Sequence, residues 1–238
     1  MKGKLILGST HLGNEKFIPN IMKDIIQSSH CIYVDDENGF NQILNYFEIN
    51  SVQHIVTNRF KPDVEFVNRF SSEVIRLIKS GNKVLIISNN GQTGIGDWYS
   101  VLAKNCIKEG CDVEIIPGPS VVNIAYLKSG LDSNNFSFEN KLNEPWEVNL
   151  EYINQLVRQN KMSIFLEPTN GIKYFFENAL KYWGPSRKAS IMSNLTLDNE
   201  SFWTGTIKEL HDRISTGEIN PELHSSVIAI DGAEIGKR

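Results

Sequence analysis

Residues 83–88 read Lys83-Val84-Leu85-Ile86-Ile87-Ser88, four large aliphatic side chains in a row with no polar residue between them. A strand with one wet face alternates apolar and polar residues. One that does not alternate is covered on both faces, the usual condition of a parallel strand with helices above and below. The surrounding sequence supplies such helices. Short apolar runs at 4–7, 30–34, 51–56 and 112–116 alternate with stretches of helical spacing at 18–28, 40–47, 64–80 and 98–109. This pitch predicts a mostly parallel α/β sheet.

After the bracketed turn Pro117-Gly118-Pro119 the texture changes. Helices are expected at 120–127, 150–159, 174–182 and 207–214, and strands at 162–166, 188–193, 201–204 and 225–230. Residues 132–149 are polar and poorly patterned. So strand-rich an end predicts a mixed sheet, and a domain boundary at Gly118 gives domains 1–117 and 118–238. The 238 residues contain no internal repeat and no low-complexity segment.

Composition narrows the function classes. With 40% hydrophobic and 22% charged residues the chain is neither disordered nor a disulfide scaffold. No run approaches the ~18–20 apolar residues of a membrane span. Leu5-Ile6-Leu7 is too short for the core of a secretory signal, so a cytoplasmic location is expected. Net charge is −4; residues 1–117 hold 12 Lys/Arg against 13 Asp/Glu, and residues 118–238 hold 12 against 15. Neither half has the basic excess of a module that grips nucleic-acid backbone. The three cysteines show no CxxC spacing and read as reduced thiols.

Glycine-rich turns after strands are the best candidates for chemistry. Residues 88–97 (Ser88-Asn89-Asn90-Gly91-Gln92-Thr93-Gly94-Ile95-Gly96-Asp97) follow the central strand and precede a helix. Ligands of parallel sheets sit beyond the carboxyl ends of the strands, where such turns lie. The run is neither GxGxxG nor GxxxxGK[ST], so it carries no dinucleotide or P-loop signature. A valine at Gly91 is expected to abolish ligand binding there while leaving the fold intact. The acidic turn Asp35-Asp36-Glu37 reads as a solvated turn, or as a base or metal ligand. His11 lies in the first post-strand loop. The five histidines form neither HxxxH nor HExxH, so no metal is expected. No GxSxG elbow occurs.

Several segments stand in a familiar order. Residues 11–14 match an early P-I-G-N loop, and residues 35–38 echo an E-D-T-R segment. Ser88 to Tyr99 align without a gap on S-D-A-G-T-P-x-I-S-D-P-G. Pro117 to Ser120 match a P-G-P-S turn, and Phe165 to Pro168 a late F-Y-E-S. Gly184 to Lys188 match G-P-x-R-x, residues 193–196 R-E-L-T, and residues 204–206 R-G-T. In this order the chain resembles the tetrapyrrole (corrin/porphyrin) methylase superfamily of S-adenosylmethionine (SAM) methyltransferases. Within it, the likeness is to the branch that 2′-O-methylates a cytidine of small-subunit ribosomal RNA.

The resemblance implies two α/β domains, with SAM held in the cleft between them largely by backbone groups. It implies cofactor contacts at Leu12, Gly13, Ser88, Asn89, Asn90, Gly91, Thr93, Ile95, Ser120, Val121, Leu195, Thr196 and Gly205. Candidates for acid–base work are His11, Asp36 and Glu167. A homodimer is expected. The acceptor is ribosomal RNA on this likeness, with a tetrapyrrole, a peptide or another small molecule as alternatives, and a degenerate SAM-binding paralogue as a further one. Departures fall on His11 for the loop proline, Asn89 for the aspartate, and Glu37-Asn38 for threonine-arginine. The last removes a cation that could hold RNA phosphate.

Overall fold

The computed structural model describes residues 3–57, 62–88, 91–140, 142, 145–166, 171–219 and 226–233. The chain forms two compact units, residues 1–120 and 121–238. In the first unit, strands β1 (Lys4–Gly8), β2 (Cys31–Val34), β3 (Ile55–Val56), β4 (Lys83–Ile87) and β5 (Asp112–Ile115) form a sheet of order β3-β2-β4-β1-β5. Every pairing in it is parallel. β4 lies at the centre, and Val84 to Ile87 are all buried, as their unbroken apolar run requires.

Four helices cover the two faces. Helices α1 (Met22–Ser28) and α2 (Glu37–Tyr46) pack on Ile6, Ile32, Val34, Leu85 and Ile87. Helices α3 (Val64–Lys79) and α4 (Tyr99–Lys108) pack on Leu5, Leu7, Tyr33, Val84 and Ile86. On α3 the buried Val67, Phe70, Val74 and Ile78 recur every three or four residues, the stripe that a helix on a sheet must bury.

The second unit carries α5 (Val121–Lys128), β6 (Phe136–Asn140), α6 (Leu150–Arg158), β7 (Met162–Leu166), α7 (Gly171–Tyr182), β8 (Lys188–Ser193), β9 (Ser201–Thr206), α8 (Ile207–Ser215) and β10 (Ser226–Ile230). Its sheet runs β6-β7-β10-β8-β9 and is mixed, with β6 parallel to β7 and the remaining pairs antiparallel. Helices α6, α7 and α8 bury one face around Trp146, Phe165, Phe175 and Phe176. Helix α5 covers the other face over Met162, Ile164, Met192 and Val227.

Several boundaries differ from the sequence reading, α7 starting at Gly171 rather than residue 174 and β3 shrinking to Ile55–Val56 among them, and three differences have a local reason. Helix α1 starts at Met22 rather than at residue 18, because Ile18 precedes Pro19 and is held extended (φ −68°, ψ 129°). Helix α2 starts three residues earlier than expected, because Asp36 caps it, accepting from the backbone N–H of Asn38 and Gly39. Within the stretch 132–149, read as unpatterned, β6 forms as an edge strand paired to β7, with its register broken between Phe138 and Asn140. The strand expected from residue 225 is seen from Ser226, residue 225 lying outside the described residues.

Candidate functional site

Three post-strand loops of the first unit are tied to one another. Thr10 donates its N–H to the Gly91 carbonyl, and Gly91 donates to the His11 carbonyl, both at 2.9 Å. Ser9 Oγ donates to the Ile116 carbonyl at 2.6 Å and lies 3.0 Å from Gln92 Oε1, which also accepts from Gly118 N–H at 3.2 Å. Thr93 Oγ1 donates to the Gly8 carbonyl and accepts from Ser88 N–H at 3.0 Å, while Thr10 Oγ1 donates to the Ser88 carbonyl at 3.1 Å. The buried hydroxyls of Ser9, Thr10 and Thr93 therefore bind loop to loop. Ser88 Oγ lies 3.0 Å from Thr93 Oγ1, so it too faces the lacing.

Gly91 is a position that only glycine suits. Its φ is +68°, and an added Cβ would stand 2.6 Å from the Pro119 carbonyl oxygen and 2.7 Å from Leu12 Cδ2. The expectation of a purely local effect at this site is corrected accordingly. A larger residue here pushes on the 117–120 turn as well as on whatever approaches the glycine.

The order β3-β2-β4-β1-β5 has its switch point between β2 and β4. After β2 the chain leaves toward β3 through α2; after β4 it leaves the other way through α4. Open α/β sheets bind ligands at such a point, beyond the strand ends. A cavity of about 270 Å³ opens there, walled by Val34 and Ile87, the last residues of the two strands, and by Phe40 and Ile43 of α2. Its polar lining is His11, Asp36 and Gln42.

His11 Nδ1 accepts from Gly13 N–H at 2.9 Å. Burial lowers the imidazole pKa below its ordinary 6.5, against a smaller opposing pull from Glu15. The ring is thus neutral at physiological pH. With Nδ1 accepting, its proton resides on Nε2.

Beside the cavity, on the opposite face of β2, the Tyr99 hydroxyl donates to Asp35 Oδ1, and Thr57 Oγ1 donates to the same oxygen at 3.2 Å. Burial raises the Asp35 carboxyl above its ordinary range, against the pull of these two hydroxyls. Asp97 is raised by burial as well, although its oxygens accept from Gly94 N–H at 2.9 Å and Tyr99 N–H at 2.8 Å. The acidic turn therefore divides: Asp36 caps a helix at the cavity, and Asp35 is held by Tyr99. Gln42 belongs to this region although sequence reasoning did not place it in the site, and Asp35, read only as part of a solvated turn or as a base or metal ligand, belongs to it as well. An aspartate directly after a buried strand was the available signal for Asp35.

The structure brings together His11, Leu12, Gly13, Ser88, Gly91 and Thr93 on the interlocked loops, with Ser120 one residue beyond Pro119. Asp36 joins His11 at the cavity. Ile95 projects from its loop, 42% exposed. Asn89, Asn90 and Glu167 lie outside the described residues. In the second unit, Leu195 belongs to the cluster under α5, against which Val121 of that helix packs. Thr196 follows with φ +73°, unusual for a β-branched residue, and its Oγ1 is buried without a hydrogen-bond partner among the described residues. Gly205 is not beside them. It pairs with Ala189 in the β8–β9 ladder, whose opposite end leads into Leu195 and Thr196.

Comparison with known proteins gives this arrangement a family. The model of the tetrapyrrole (corrin/porphyrin) methylases matches residues 12–211. The ribosomal RNA small subunit methyltransferase I of Thermotoga maritima is 28% identical over 237 residues, covering 98% of this chain and all of that protein. Its counterpart in Mycobacterium tuberculosis is 24% identical over 87% of this chain and 72% of its own length. Among solved structures, a diphthine synthase superposes with TM-score 0.69 at 13% identity, covering 97% of this chain and 90% of its own. A uroporphyrin-III-C-methyltransferase from Thermus thermophilus gives 0.61 at 14%, covering 98% and 93%. The chain belongs to the tetrapyrrole methylase family. It is an S-adenosylmethionine-dependent methyltransferase.

Proposed function

We propose that this methyltransferase modifies a ribose hydroxyl of small-subunit ribosomal RNA. The observation that carries the reading is similarity to the Thermotoga maritima enzyme along the whole of both chains. The donor we assign is SAM, and the residues fit it. Leu12, Gly13 and Ser120 lie in loops beyond the ends of parallel strands, and Gly91, whose own N–H and carbonyl lace these loops, leaves room for close approach. In the second unit, Thr196 carries a buried hydroxyl with no partner among the described residues. Asn89, Asn90, Ile95 and Val121 complete the proposed contacts, and Ser88 and Thr93 hold the loop between them; Gly205, at the far end of the β8–β9 ladder from Thr196, is left out. Bound there, SAM supplies an electrophilic methyl group on a sulfonium centre.

The protein's part is positioning and proton management. His11 offers an N–H and Asp36 offers only lone pairs, and both line one cavity. His11 orients the acceptor oxygen there, and Asp36 takes the hydroxyl proton. Glu167 remains a candidate for the same work from outside the described residues. We also propose that the active species is a homodimer in the cytoplasm. No helix among the described residues is long and apolar enough to cross a membrane.

The net charge of −4 favours, as a second reading, a small acceptor that needs no phosphate-gripping surface. Transfer of labelled methyl from SAM into cell extract, fractionated into RNA, protein and small molecules, tests both. Label in small-subunit RNA is the expected outcome. Label confined to small molecules overturns it in favour of the second reading.

A further inference from the structure

We infer that the cavity between β2 and β4 receives the base of the nucleotide being methylated. This rests on the proposed ribose acceptor and extends it to recognition. A 2′-hydroxyl sits on the ribose carbon next to the one that bears the base. With that hydroxyl held by His11 and Asp36, the base on the adjacent carbon is within reach of the space these two residues border. That space has the character a heterocycle needs. Val34, Phe40, Ile43 and Ile87 form an apolar floor, each of them almost wholly buried in the core beneath it, so a base would lie over their edges. The cavity's volume of about 270 Å³ is just below the ~300 Å³ at which sites for larger organic ligands begin. This suits one unstacked base rather than a stretch of strand.

Gln42 lines the same cavity from an exposed position on α2. Its side-chain amide has no hydrogen-bond partner among the described residues. An amide carries a donor and an acceptor side by side, the pattern that pairs with the edge of a base. Enzymes acting on single nucleotides extrude the target and read its edge in such a pocket. Recognition by shape and edge, rather than by charge, also agrees with a chain that has no basic excess.

The test uses the whole protein saturated with S-adenosylhomocysteine, titrated with cytidine 5′-monophosphate and followed by amide resonances. In the unmodified protein, Gly39 and Gln42 are expected to shift. Gln42→Trp, which blocks the mouth from an exposed helix position, is expected to weaken the nucleotide by at least about ten-fold. Its affinity for S-adenosylhomocysteine should be unchanged. Gln42→Ala, which removes the amide without adding bulk, should weaken the nucleotide as well. Absence of any shift on adding the nucleotide overturns the inference, as does affinity in both variants equal to that of the unmodified protein. Loss of S-adenosylhomocysteine affinity in Gln42→Trp also overturns it, because the cavity then holds the adenine of the donor. The binding readout needs no methyl transfer, so an RNA that takes no label counts against the proposed function alone.

Discussion

At the scale of single residues, Gly91 and Asp35 make the sharpest statements. A side chain at 91 must adopt φ +68° and meet the Pro119 carbonyl oxygen. Gly91→Ala is expected to cost about 1–3 kcal/mol in unfolding free energy. Because the strained loop is the one proposed to face the donor, affinity for S-adenosylhomocysteine should fall with it. Denaturant unfolding and calorimetric titration check the two together; lost affinity at unchanged stability would refute the loop-lacing account. Asp35 gives a pH signature. Burial raises its pKa, so the folded chain keeps this proton to higher pH than the unfolded chain does. The associated stability is present in acid and is lost as pH rises from the ordinary value of 3.8 through the folded value. Asp35→Asn removes that loss while keeping an acceptor for Tyr99. Its thermal midpoint should therefore decline less than that of the unmodified protein between about pH 4 and pH 7. Asp97, raised in the same way, should retain its own share of the slope.

At the scale of elements, Asp36 shows how one side chain serves both a helix and a site. Its carboxylate accepts from Asn38 N–H at 3.3 Å and Gly39 N–H at 2.7 Å. Asp36→Ala should destabilise the protein by about 1 kcal/mol through loss of the cap, and Asp36→Asn by much less. If Asp36 takes the acceptor proton, both variants should be impaired in kcat, so stability and turnover separate in Asp36→Asn. The sequence showed an acidic turn at this place without showing the cap. The cap depends on Asp36 being extended (φ −141°, ψ 125°) directly before the helix. The elements that were legible bury a continuous apolar set, as β1, β4, β7 and α3 do. The element that was missed, β6, reads Phe136-Ser137-Phe138-Glu139-Asn140 and owes its form to the backbone of β7. Propensity does not register a strand held by its neighbour. The site divides in the same way. Its loops are marked by glycines and prolines and could be read. The meeting of Asp35, Thr57 and Tyr99, or of His11 with Gln42, is made by sheet order, which local sequence does not encode.

At the scale of the whole molecule, charge bears on the acceptor. With 24 basic against 28 acidic residues, association with ribosomal RNA cannot come from a general positive field. What phosphate contact there is should be local and should follow counterion release, the logarithm of affinity falling linearly with that of salt. Titration of small-subunit RNA at several ionic strengths is expected to show this steep decline. Affinity indifferent to salt would mean that recognition avoids phosphate altogether.

The strand orders also set a timetable for synthesis. β1 pairs only with β4 and β5, and Lys4 lies opposite Lys83. At a ribosomal pace of roughly 5–20 residues per second, the greasy Leu5-Ile6-Leu7 segment therefore waits roughly 4–16 seconds for a neighbour. The second sheet repeats the delay, since β7 and β8 are bridged only by β10. Each unit thus stays open until a late strand slots into place.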